Sequence, residues 1–102
     1  MAYKREKSSF VLEQIKFKEP LMYRVIMHND DYTTMDFVVS VLINIFHKSH
    51  DEAVFLMAEV HNKGQANVGV YTLDIAESKV REVRVMASEY HFPLLCTIEE
   101  DN

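Results

Sequence analysis

Three acceptors in a row, Asn29, Asp30 and Asp31, follow His28 in the stretch VIMHNDDYTTMDFVVSVL, residues 25–42, between two apolar runs. Two carboxylates and an amide at such a junction support three kinds of chemistry. The first is an ordinary Asx-rich turn into a helix N-terminus, where negative charge is welcome. The second is metal ligation with an imidazole such as His61 or His28, giving a small metal-dependent hydrolase built on Asp30, Asp31 and His61. Adjacent acidic residues are poorly placed for ligation from one rigid face, which counts against it. The third is capture of a cation through charge-assisted hydrogen bonds, the strong kind. Elsewhere, His47 and His50 form an HxxH, but Ser49 caps a helix between them, so they read as solvated loop residues. The lone Cys96 excludes an internal disulfide and any CxxC site, and on a strand it reads as a buried, inert thiol.

The elements that position these groups follow from periodicity. Residues 22–28 alternate Tyr23, Val25 and Met27 against Arg24 and His28, which suits a strand. Residues 34–47 are apolar nearly all round. Their length favours a helix, with Thr33 as N-cap and Asp36 three residues on. Ser49 with Glu52 makes a capping box for a helix near 50–62, stopped by Gly64. Residues 66–73 read as a strand. Asp74 with Glu77 caps a third helix with an apolar stripe at Ala76, Val80, Val83, Ala87 and Tyr90. Pro93 ends it, and residues 94–98 form a last strand. The order βααβαβ implies an α/β (α+β) sandwich, a small antiparallel three-stranded sheet packed against three helices.

That layout puts Asn29, Asp30 and Asp31 on a loop at the rim of the fold. Met57, Val60 and His61 stand at i, i+3 and i+4 and share a helix face, as do Met35 and Val38. If the two faces meet beside the loop, they form an apolar slot rimmed by two carboxylates, an amide and an imidazole. Methionine walls are polarizable and adaptable, as a pocket for several large side chains needs. The competing reading is that the four apolar residues are simply core.

Composition limits the partners. With 102 residues, 48% hydrophobic and two Gly and two Pro, the chain makes one folded domain. A net charge of −5 argues against duplex nucleic acid. No run is long enough to span a bilayer and no signal peptide opens the chain, so a cytoplasmic location is expected. The charge is uneven: residues 1–19 carry +2 and the remainder −7. Glu19-Pro20 makes a natural boundary between a flexible N-terminal extension, 1–19, and a core domain, 20–102. Phe10, Val11, Leu12, Ile15 and Phe17 make the extension more apolar than a linker, so its packing on the domain is the alternative.

The blocks NDDYTTMDFVVSVL, VHNKG, GVYTLDIAESKV and PLLCTIEED resemble, in order and spacing, the ClpS family of adaptor proteins. The resemblance spans residues 21–102. It implies a non-enzymatic adaptor without cofactor. Such an adaptor delivers N-degron substrates, proteins with a large hydrophobic N-terminal residue, to the N-terminal domain of a ClpA-type AAA+ unfoldase feeding ClpP. By matching position, Asn29, Asp30 and His61 would bind the substrate's α-ammonium and first peptide group, supported by Asp31 and Thr33. Met35, Val38, Met57, Val60 and Leu94 would line the side-chain pocket. Asp74 and Lys79 match unfoldase-docking positions. Thr34 stands where proline is usual, Asp36 and Asp74 replace glutamates, Phe92 replaces a common histidine, and Val68 a small residue or cysteine. None belongs to the ammonium-binding set. A same-fold modulator that has lost degron recognition is the further alternative.

Overall fold

The computed structural model describes residues 20–102. The expectation of an extension over residues 1–19 lies outside the described residues. Three antiparallel-paired strands, β1 (Met22–His28), β2 (Gln65–Thr72) and β3 (Leu95–Glu100), lie in the order β2-β1-β3. Three helices, α1 (Met35–Asn44), α2 (His50–Lys63) and α3 (Leu73–Glu89), complete the expected βααβαβ order.

β1 is the central strand, and its middle residues Val25, Ile26 and Met27 are all buried. Val25 and Met27 are wholly buried and face the helices, joined by Val68 of β2 and Cys96 of β3. The register runs from Met22 opposite Thr72 to His28 opposite Gln65, and from Tyr23 opposite Glu100 to His28 opposite Leu95. One irregularity breaks it. Val25 faces Gly69 while Ile26 faces Asn67, so β2 carries an extra residue, Val68. The Gly69 amide donates instead to Asn67 Oδ1 at 3.0 Å.

The helices seat on that face. α1 buries Phe37, Val38, Val41 and Leu42. Phe37 packs its ring on Phe92, at 4.8 Å between centroids, and on Tyr90, at 5.2 Å, which joins α1 to the end of α3. α3 buries Ala76, Val83 and Ala87 of the expected stripe, while Tyr90 stays exposed. The Ser49–Glu52 capping box is formed, and Gly64, at φ 89°, supplies the left-handed C-cap that ends α2.

Two expected caps are corrected. Thr34, not Thr33, caps α1: its Oγ1 accepts from the Phe37 amide at 3.2 Å. Thr33 is drawn away by Asp30, as described below. α3 starts at Leu73 behind Thr72, so Asp74 lies within the helix and is no cap; its Oδ1 accepts from the Thr72 hydroxyl at 2.7 Å. α1 also ends at Asn44, short of residue 47, because His47 takes a positive φ of 56° and the chain turns toward α2.

The loop that leaves β1 is anchored at its first residue. The Asn29 amide donates to the Gly64 carbonyl at 2.9 Å, tying the end of β1 to the end of α2. That contact sets the loop beside the last turns of α2.

Candidate functional site

The loop 29–34 takes its shape from Asp30. Its Oδ1 accepts from the Tyr32 amide at 2.8 Å and the Thr33 amide at 2.7 Å, and its Oδ2 accepts from the Thr33 hydroxyl at 2.7 Å. This Asx-type turn needs a short side-chain acceptor two and three residues ahead of the amides it binds. Burial by itself raises the Asp30 carboxyl's pKa, but the Thr33 and Tyr32 hydrogen bonds outweigh it and hold the group below its ordinary value. Asp30 is therefore ionised at neutral pH. A carboxylate has about four acceptor positions, so one on Oδ2 remains for an outside donor.

Beside this loop lies a cavity of about 230 Å³. Its polar lining is Asn29, Asp30, Asp31, Thr33 and His61; its apolar lining is Met35, Val38, Met57 and Val60. Val38 and Val60 are buried and form the floor, Met57 is half-buried, and Met35, 49% exposed, stands at the mouth. The i, i+3, i+4 set of α2 and the Met35–Val38 pair of α1 thus meet as the spacing predicts. Both readings of the four apolar residues hold in part, because the valines are core as well as floor. The volume is below the ~300–1,000 Å³ of drug-sized sites and suits a single side chain.

Leu94 is not part of this lining. It is buried at 7% exposure just ahead of β3, in the same core cluster as the floor residues Val38 and Val60. Asp74 and Lys79 lie away from the cavity on α3. They are five residues apart, about 140° around a helix, so they do not share one face. Asp74 is exposed in the first turn, and its hydrogen bond from Thr72 holds its carboxyl below the ordinary value. Lys79 is half-buried and not the ordinary exposed lysine that its helix position suggests. Its Nζ donates to the Ile45 carbonyl at 2.7 Å, at the C-terminal end of α1, and stands 6.0 Å from the Tyr71 ring centre.

Tyr32 is 78% exposed at the loop tip, beside the cavity-lining Asp31 and Thr33. Among the described residues, no group of three or more His, Cys, Asp or Glu side chains could hold a metal ion. Cys96 is buried and desolvation pushes its thiol up to about 12.

The sequence model of one family, described as ATP-dependent Clp protease adaptor protein ClpS, matches residues 18–97. This chain belongs to the ClpS family. The Clp protease adapter protein ClpS of Syntrophus aciditrophicus is 54% identical over 85 residues, covering 83% of this chain and 79% of that one. The ClpS of Treponema denticola is 49% identical over 100 residues, covering 98% and 99%. Among solved structures, Agrobacterium tumefaciens ClpS2 bound to L-phenylalaninamide superposes with a TM-score of 0.78 at 40% identity, covering 81% of this chain and all of that one. The chain is accordingly an adaptor of the Clp protease and not an enzyme, which sets aside a hydrolase built on Asp30, Asp31 and His61. No helix among the described residues is long and apolar enough to cross a membrane.

Proposed function

We propose that this adaptor binds proteins with a large hydrophobic N-terminal residue, Leu, Phe, Trp or Tyr, and passes them to a ClpA-type AAA+ unfoldase for degradation by ClpP. One observation carries the reading: an apolar-floored cavity sized for one side chain has an ionised carboxylate and an amide on its rim. A free N-terminus offers an ammonium immediately beside its first side chain, and an internal residue does not. The ammonium donates to the open position of Asp30 and to Asn29, with His61 facing the first peptide group. Thr33 supports by fixing Asp30, and Asp31 adds negative charge. The first side chain enters between Met35 and Met57 and rests on Val38 and Val60. Burying a Leu or Phe side chain contributes about 1.5–3 kcal/mol. The ligand of the Agrobacterium ClpS2 structure, L-phenylalaninamide, fits the same description, its carboxamide standing in for the first peptide group.

Delivery needs a second surface. Asp74 and Lys79 on α3 would dock on the unfoldase's N-terminal domain, Lys79 while also tying α3 to the end of α1 through the Ile45 carbonyl. The reading places the protein in the cytoplasm, where its substrates and unfoldase meet, and involves neither nucleic acid nor membrane.

The test is a Leu-initiated peptide against its N-acetylated twin. Acetylation removes the charge and leaves Asp30 without its partner, so affinity should fall by at least about 2 kcal/mol, roughly thirtyfold. Equal, appreciable binding of the two peptides sinks the reading. Binding of neither leaves an adaptor that modulates the unfoldase without recognising degrons.

A further inference from the structure

A second and larger concavity, an open groove of about 630 Å³, lies between the first half of α2 and β2. Its apolar lining includes Phe55, Leu56, Val68 and Val70. Phe55 is 64% exposed and Val70 40%, an unusual exposure for neighbouring large apolar side chains. β2 is an edge strand, and Val70 stands on it two residues before Thr72, the partner of Met22 at the start of β1. The groove rim carries Asp51 and Glu52 against Lys48, a net negative charge.

The segment that precedes β1 has a matching composition. Residues 10–18, FVLEQIKFK, hold five large apolar side chains and, with Lys16 and Lys18 against Glu13, a net positive charge. The tether is short enough. Val70 lies about 7 Å along β2 from Thr72, at roughly 3.3 Å per strand residue. Phe17 is five residues before Met22 and reaches up to about 16–18 Å from it. Ile15, two residues earlier, reaches Asn67 and Val68 by the same measure.

We propose that residues 10–18 of this same chain seat in the α2–β2 groove, with Ile15 and Phe17 against Phe55 and Val70 and the lysines toward Asp51 and Glu52. The extension is then held in cis on a surface separate from the degron cavity, which is lined by the last turns of α2. Its release from the groove, and not only its length, sets when it is available to a partner. The inference stands whether or not the cavity binds degrons.

The test uses the full chain with Ser9→Cys carrying a nitroxide label; Cys96 is buried and stays unlabelled. The amides of Val68, Gly69 and Val70 should lose most of their intensity, while those of Asn29, Asp30 and Asp31 keep theirs. Adding Phe55→Asp, a change at an exposed position, should restore the Val68–Val70 signals with the rest of the amide spectrum in place. Broadening spread evenly over the domain overturns the proposal, and so does broadening centred on Asn29–Asp31. A mixture of labelled and isotope-enriched molecules reads the other occupant: broadening as strong between chains as within one means a second copy fills the groove.

Discussion

On the proposed reading, Asp30 does two jobs that pull in different directions. Three internal hydrogen bonds spend most of its acceptors on shaping the loop, and the negative charge remains for a ligand. Asn at this position keeps an oxygen for the Tyr32 and Thr33 amides but loses the charge. Asp30→Asn should therefore fold normally and bind a Leu-initiated peptide at least about tenfold more weakly, a loss of ~1.4 kcal/mol. Ala, lacking both, disturbs the loop as well, so titration calorimetry on the two variants separates charge from shape. The pH dependence has a definite sign. A carboxyl whose folded pKa is depressed stabilises the fold above its unfolded value and loses that contribution as pH falls through the folded one. For Asp30 the unfolded value is 3.8, so its protonation should not weaken peptide binding between neutrality and pH 3.8. Met35 poses a separate question of shape. It stands half-exposed at the cavity mouth, where a β-branched side chain is broadest, whereas Leu and Phe enter narrow. Met35→Ala should admit N-terminal Ile and Val while retaining Leu. If peptide titration finds Ile rejected as firmly as before, Met35 is not the gate.

At the scale of elements, the short α1 depends on contacts at both ends. Thr34 caps its start, and Lys79, 34 residues away in sequence, caps its end through the Ile45 carbonyl. A cation at a helix C-terminus meets both a free carbonyl and the negative end of the helix dipole. Lys79→Met retains the aliphatic stem and removes the donor, and should cost about 1 kcal/mol, read as a lower urea midpoint with unchanged slope. Arg81→Met, on the exposed side of α3, should cost nothing measurable. If both variants unfold alike, the Lys79 bond contributes nothing to stability. This bond was not legible in the sequence, because a contact between α3 and the end of α1 leaves no local spacing signal. The meeting of Met35 and Val38 with Met57 and Val60 was legible, since helical periodicity already put each pair on one face. The caps were only half legible. Thr33 and Thr34 are adjacent hydroxyls with equal local claims, and Asp30 decided between them by binding Thr33. The extra residue of β2 at Val68 had no signal beyond Gly69.

For the whole molecule, the proposed function puts binding and delivery on different surfaces of one small sandwich. The cavity lies at the junction of β1, α1 and the end of α2, Asp74 lies at the start of α3, and the open groove lies between β2 and the start of α2. The rigid sheet and shared core fix these sites relative to one another, so binding a degron alone gives no means of letting it go. Residues 1–19 differ from the domain in charge sign, precede Pro20, and are long enough for an r.m.s. reach of ~25 Å as free chain. A segment of that length can be engaged by an unfoldase while the domain stays docked on it. Deletion of residues 1–17 should therefore leave peptide affinity nearly unchanged, because the described cavity lining runs from Asn29 to His61. Thermal stability should fall slightly, by whatever the groove contacts contribute. Degradation of Leu-initiated substrates by the unfoldase and its protease should slow greatly, although the truncated adaptor still docks. Affinity, melting temperature and degradation rate measured on one truncated protein decide the matter. Unimpaired degradation refutes a role in delivery, and joint loss of stability and peptide affinity shows instead that residues 1–17 support the binding site.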